Sequence, residues 1–116
     1  MTDREAIARQ ASRRSEAVAE ELPRILAQLK ALGAEKIILF GSEVKGKPKP
    51  WSDVDLLVVI PSELPFVERI ADLYGRLRPR MAVDLLPYAP SEFQRGNPLI
   101  RMALSEGKVL YEEQTE

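Results

Sequence analysis

The sequence predicts an α/β (α+β) protein in which a small mixed sheet of three to four strands is flanked by helices. Short apolar runs of strand length alternate with longer segments whose apolar residues recur every three or four positions. The 116 residues are 45% hydrophobic and 30% charged, which is typical of one globular domain and not of a disordered chain. We divide that single domain into an N-terminal helical segment (1–33), a core (34–111) and an acidic tail (112–116).

The first third of the chain is predicted to be helical. Thr2 and Glu5 have the spacing of a capping box. An apolar stripe of helical period follows at Val18, Leu22, Ile25, Leu29 and Leu32. Pro23 interrupts this stripe and predicts a kink or a break, and Gly33 predicts the end of the helix. The charged residues 4–21 are expected to face solvent, with a partner surface as the alternative.

The rest of the chain alternates between strands and helices. Strands are predicted over residues 37–40, 53–60 and 81–86, with a short edge strand at residues 109–111. Helices are predicted from residues 61–65 to about residue 78 and over residues 97–106, with a helical turn near residues 91–93. Glycine and proline predict a loop over residues 45–51.

The chain contains no cysteine and no histidine, and this restricts its chemistry. Disulfides, thiolate nucleophiles, Ser-His-Asp triads and histidine-based zinc sites are all excluded. Acid–base or metal chemistry must therefore use carboxylates, with Ser, Tyr, Lys and Arg in support. A metal held by such oxygen ligands would be a hard cation, Mg²⁺ or Mn²⁺.

Charge and hydropathy argue against two classes of partner. The net charge of −1 gives no general attraction for nucleic acid or for an anionic membrane. The longest apolar run, residues 54–60, contains Asp55 and is too short to span a bilayer. The N-terminus is charged and no apolar signal segment follows it, so we expect a cytoplasmic protein.

Gly41 and Ser42 follow the first predicted strand and form the first candidate feature. A glycine there lets the backbone approach a ligand, and the next residues could present N–H groups to an anion, although such a pair is more often a plain turn. The spacing of Gly41, Gly46 and Lys47 approaches that of a P-loop. Pro48 stands where such a loop needs Ser or Thr, so we reject that interpretation.

Three aspartates form the second candidate feature. Asp53 and Asp55 are two positions apart at the start of a strand, so their side chains point to the same face. Asp84 lies inside the next apolar strand, and an ion pair with Arg80 is the alternative reading for it. Three carboxylates on neighbouring strands, in a chain without histidine, are typical of a site for two divalent metals.

These residues together resemble a known family. The run Gly41-Ser42-x3-Gly46-x5-Ser52-Asp53-x-Asp55, between two apolar strands, is similar to the nucleotidyltransferase signature of the DNA polymerase β superfamily. The short length and the C-terminal pattern of residues 97–111 resemble its minimal branch, the MNT domains, which are the antitoxin half of HEPN/MNT toxin–antitoxin pairs. The resemblance covers roughly residues 30–111 and implies the nucleotidyltransferase fold.

The resemblance also implies roles for individual residues. Gly41 and Ser42 would hold the triphosphate of ATP, and Lys45 would keep the positive charge of an arginine that is common in the family. Asp53 and Asp55 would ligate two Mg²⁺ ions, with Asp84 ligating the catalytic one. Glu43 departs from the family pattern, because it places a negative charge beside the phosphates.

The function implied is transfer of AMP from ATP to a hydroxyl, a tyrosine, of a partner HEPN toxin. An antitoxin that neutralises the toxin by binding alone is the alternative. A polymerase-type enzyme acting on nucleic acid is disfavoured, because the chain lacks both a further domain and a net positive charge to hold a polyanion. The residues before the motif are a candidate docking helix, and assembly as a homo- or hetero-oligomer is left open.

Overall fold

The computed structural model describes residues 2–46 and 53–114, and these form a four-stranded mixed sheet with helices on both faces. The elements are α1 (Asp3–Ala31), β1 (Lys36–Phe40), β2 (Val54–Val59), α2 (Phe66–Leu77), β3 (Val83–Tyr88), α3 (Pro90–Arg95), α4 (Pro98–Glu106) and β4 (Lys108–Glu112). A 3-10 turn, Gly41–Glu43, follows β1. The predicted fold class is confirmed.

Strand β2 lies at the centre of the sheet, whose order is β3-β2-β1-β4. It runs antiparallel to β1 and parallel to β3, and β4 pairs antiparallel with the other side of β1. One face of the sheet packs against Ile25 and Leu29 of α1 and against Leu73 and Leu77 of α2. The other face packs against Ile100 of α4. Because both faces of β2 are covered, its sequence is almost uniformly apolar.

Helix α1 continues through Pro23, so the predicted break is wrong. Proline in a helix interior costs about 3 kcal/mol. Burial of Ile25 and Leu29, which lie on the following turns, offsets this cost because both side chains are fully withdrawn from solvent. The predicted end is confirmed: Gly33 has φ +104°, and Ala34 N–H donates to the Leu29 carbonyl over 3.0 Å.

Strand β3 begins and ends two residues later than predicted, at Val83 and Tyr88 instead of residues 81 and 86. In β3, alternate residues face β2, and Ile60 N–H donates to the Tyr88 carbonyl over 2.9 Å. The backbone of Pro87 therefore faces away from β2, where no ladder hydrogen bond needs the N–H that proline lacks. An edge strand accepts proline in such a position.

Glu21 connects α1 to the segment that leads into β3. The residue is only 6% exposed, although it lies in the charged stretch predicted to face solvent. Its carboxylate accepts hydrogen bonds from the Arg24 guanidinium and from Arg80 N–H, the latter over 2.6 Å. The Arg24 guanidinium also donates to the Arg78 carbonyl over 3.2 Å. The hydrogen bond from Arg24 is the main reason that the pKa of Glu21 is lowered to about 2.

None of the helices in the described residues is both long and apolar enough to pass through a membrane.

We predict that Glu21→Gln destabilises the protein by about 1–2 kcal/mol at pH 7, because it removes a charge-assisted hydrogen-bond network. A lowered pKa means that the ionised form stabilises the fold above the unfolded pKa. That contribution is lost as the pH falls from about 4.5 towards about 2. Urea denaturation of the wild type and the variant at several pH values measures the difference. A difference that stayed constant down to pH 2.5 would contradict the prediction, and Glu20→Gln, at an exposed neighbour, is the control.

Candidate active site

The register of the parallel strands places two of the predicted carboxylates side by side. Asp55 of β2 is the direct partner of Asp84 of β3, and neighbouring strands lie about 4.8 Å apart. On the other side of β2, Asp55 is the direct partner of Phe40, the last residue of β1. The register follows from burial of the apolar residues of β2, since a shift by one residue would turn every side chain to the opposite face.

When it is protonated, the carboxyl group of Asp55 can donate a hydrogen bond to the carboxylate of Asp84. The pKa of Asp55 is raised to about 6. Burial is the largest cause, followed by the charge of Asp84, the hydrogen bond with Asp84 and the charge of Asp53. Asp53 itself is exposed and immediately precedes β2. The three predicted carboxylates therefore interact electrostatically at one end of the sheet.

Gly41 lies directly against the carboxylate of Asp55. Its φ of +78° is a conformation that residues with side chains rarely adopt. A Cβ atom at this position would overlap Oδ2 of Asp55. Two independent reasons therefore require glycine at position 41. One is the backbone conformation, and the other is the close approach of the turn to Asp55.

The other residues predicted to contact the nucleotide lie in the same turn. Ser42 is part of the 3-10 turn Gly41–Glu43, and Lys45 N–H donates to the Gly41 carbonyl over 3.3 Å. The Lys45 side chain is exposed. The next part of the loop, including Ser52 of the sequence motif, lies outside the described residues.

Glu43 of this turn forms an ion pair with Arg14 of α1. The two side chains are only 19% and 14% exposed, respectively. Arg14, like Glu21, is an exception to the prediction that residues 4–21 face solvent. The negative charge that departs from the family pattern is thus paired within the protein.

Sequence reasoning missed Tyr74, which holds the outer edge of β3 around Asp84. Its hydroxyl donates to the Val83 carbonyl over 2.6 Å and accepts from Leu85 N–H over 3.1 Å. These two groups flank Asp84 and face away from β2, so Tyr74 takes the place of a missing neighbouring strand. The sequence signal for this role of Tyr74 was weak, since it consisted only of a tyrosine beside the apolar residues of α2.

The donor chemistry of the site fits a hard divalent cation. All three carboxylates offer oxygen ligands. The pKa of Asp55 is raised by burial and by the neighbouring negative charges, and a cation would neutralise those charges. In the described residues, no group of three or more acidic side chains is already gathered around one ion position. A cation bound here would compete with protonation of Asp55.

Comparison with known proteins identifies a family by sequence. The model of a family described as nucleotidyltransferase domain matches residues 19–111. This span contains all six predicted site residues: Gly41, Ser42, Lys45, Asp53, Asp55 and Asp84. No protein of curated function matches the sequence significantly.

Solved structures share the fold at low sequence identity. One is a toxin–antitoxin complex with AMP-PNP, with 23% identity, a TM-score of 0.55, and coverage of 79% of this chain and 73% of the other. A candidate nucleotidyltransferase from Sulfolobus solfataricus has 18% identity, a TM-score of 0.56, and coverage of 91% and 86%. A mutant of the toxin–antitoxin MntA–HpeT has 20% identity, a TM-score of 0.52, and coverage of 79% and 73%.

We predict that Asp55→Asn stabilises the protein at pH 8 by about 1 kcal/mol, or about 4 °C in Tm. A raised pKa means that folding favours the protonated acid. Stability from this group is full below the unfolded pKa of about 4 and is lost as the pH rises through about 6. The gain should therefore vanish near pH 4. Thermal melts at both pH values test this, with the exposed Asp53→Asn as comparison. A variant that melted below the wild type at pH 8 would contradict the prediction.

We predict that Tyr74→Phe lowers the free energy of unfolding by about 1–2 kcal/mol, because two backbone groups lose their partner. Amide hydrogen exchange at Leu85 should accelerate more than exchange elsewhere in the sheet. Tyr111→Phe is the matched control, since Tyr111 interacts through its ring, with Lys30 Nζ 4.8 Å from the ring centre. Equal effects of the two variants on Leu85 exchange would refute the assignment.

Proposed function

The chain belongs to the nucleotidyltransferase domain family, and from this premise we propose that it transfers AMP from ATP to a tyrosine hydroxyl of a partner HEPN toxin. By this reaction it acts in the cytoplasm as the antitoxin of that toxin. The observation that carries the proposal is the pair of Asp55 and Asp84, which are in register on adjacent strands, with Asp55 directly against Gly41.

The Gly41 turn supplies the binding half of the proposed site. Gly41 keeps the backbone free of a side chain beside Asp55, so that the chain of a triphosphate can approach the carboxylates. In this proposal, Ser42 donates its hydroxyl to a phosphate oxygen and Lys45 contributes positive charge. The exposure of Lys45 leaves its flexible side chain able to reach a bound nucleotide.

The carboxylates supply the catalytic half. Asp53, Asp55 and Asp84 would hold two Mg²⁺ ions, which would neutralise the triphosphate and lower the pKa of the acceptor hydroxyl. The acceptor oxygen attacks the α-phosphorus and its proton passes to the carboxylate of Asp84. The bond from the α-phosphorus to the bridging oxygen breaks, and pyrophosphate leaves with the electron pair. Positioning of the two reactants is the main contribution of the protein.

The solved relatives support this assignment. One was crystallised as a toxin–antitoxin with AMP-PNP, an ATP analogue. In the MntA–HpeT mutant, two aspartates that are two positions apart are replaced by glutamate. Asp53 and Asp55 have the same spacing, and we assign them the corresponding importance in this chain.

Neutralisation by binding alone is the second candidate function. It is favoured by Glu43, which places a negative charge in the Gly41 turn, and by Lys45 in place of the arginine that is common in the family. In that case the fold would be retained as a scaffold for covering the toxin.

Incubation with ATP labelled at the α-phosphate, Mg²⁺ and the toxin encoded by the neighbouring gene tests the proposal. We expect label on the toxin, and at least a hundredfold loss of rate for Asp53→Asn and for Asp84→Asn. Asp72→Asn is the matched control, because Asp72 lies on α2 and pairs with Arg76 away from the acid pair.

A growth assay separates the two candidate functions. If transfer silences the toxin, the Asp53→Asn/Asp55→Asn double variant fails to protect cells. Full protection by that variant, without any label on the toxin, would show that binding alone suffices and would reject the catalytic proposal.

A further inference from the structure

We propose that Arg14 is a positioning residue of the nucleotide site, which it serves by neutralising Glu43 in the Gly41 turn. The inference rests on the proposed function, since it concerns how that turn accepts a triphosphate. Arg14 lies outside residues 19–111, the part of the chain that the family model matches. The inference therefore assigns a role in the site to a segment that the family relationship does not cover.

Glu43 is poorly placed for a site that binds phosphate. It directly follows Ser42, and the 3-10 turn fixes it beside Gly41. At 19% exposure, its carboxylate is largely withdrawn from water, so its charge would be weakly screened. An incoming triphosphate carries several negative charges and would be repelled by an unpaired carboxylate at this position.

Arg14 supplies the compensating charge from another part of the chain. Its guanidinium pairs with the Glu43 carboxylate, and its side chain is only 14% exposed. Pairing of both groups in a partly buried position makes their interaction stronger than that of an ordinary surface pair.

The position of α1 explains how one helix reaches the site. Arg14 and Glu21 lie about two helical turns apart and therefore on the same side of α1. Arg14 contacts the turn that follows β1, and Glu21 contacts Arg80 just before β3. These two segments present Gly41 and Asp84, respectively. Helix α1 thus supports both halves of the site through charged side chains.

A double-mutant cycle on nucleotide affinity tests the inference. We expect Arg14→Ala to weaken binding of fluorescent ATP with Mg²⁺ roughly tenfold, as one unpaired charge near the phosphates would do. Asp55 and Asp84 are unchanged in this variant. Glu43→Gln should bind at least as tightly as the wild type. The Arg14→Ala/Glu43→Gln double variant should regain wild-type affinity within about twofold, because the repelling charge is gone.

Arg13→Ala is the matched control, since Arg13 is exposed on the neighbouring position of α1 and its loss removes the same net charge. Circular dichroism and Tm show whether each variant keeps the fold. A double variant that binds as weakly as Arg14→Ala would overturn charge neutralisation, and so would unchanged affinity in Arg14→Ala. Absence of ATP binding in the wild type itself would overturn the proposed function, and this inference with it.

Discussion

Two acids held in register on adjacent parallel strands are the constraint on which the site depends. Burial of the apolar residues of β2 fixes its pairing with β3, and this pairing leaves Asp55 facing Asp84. Ionisation of both acids in this partly desolvated place is unfavourable unless a cation lies between them. The fold thus loses stability to a local excess of negative charge when both acids are ionised, and protonation of Asp55 or a bound cation would relieve it.

The neighbourhood of this pair shows how the remaining charges are balanced. Gly41 brings an uncharged backbone, not another side chain, against Asp55. Glu43 of the adjoining turn is paired with Arg14 of α1. The negative charge of this turn is thus balanced from within the protein. Net charge close to zero over the whole chain conceals this local arrangement.

The sequence was sufficient to predict the features that depend on local pattern. Apolar periods predicted the sheet and most of the helices. Features that depend on packing between distant segments could not be predicted. The pairing of Arg14 with Glu43 and the Tyr74 hydroxyl at β3 are examples, because helix orientation decides them. Pro23 misled the prediction, since tertiary packing outweighs local preference.

The outer edge of β3 has a consequence for the behaviour of the protein in solution. An exposed strand edge is a template for the addition of another chain and hence for aggregation. Along β3, the Val83 carbonyl and the Leu85 amide are engaged by Tyr74, and Pro87 has no amide hydrogen to offer. The Pro87 carbonyl accepts from Arg69 over 3.0 Å. Several of the groups that would seed intermolecular strand pairing are thus already used or absent, which makes the edge of the strand that carries Asp84 a poorer template for a fibril-like ladder.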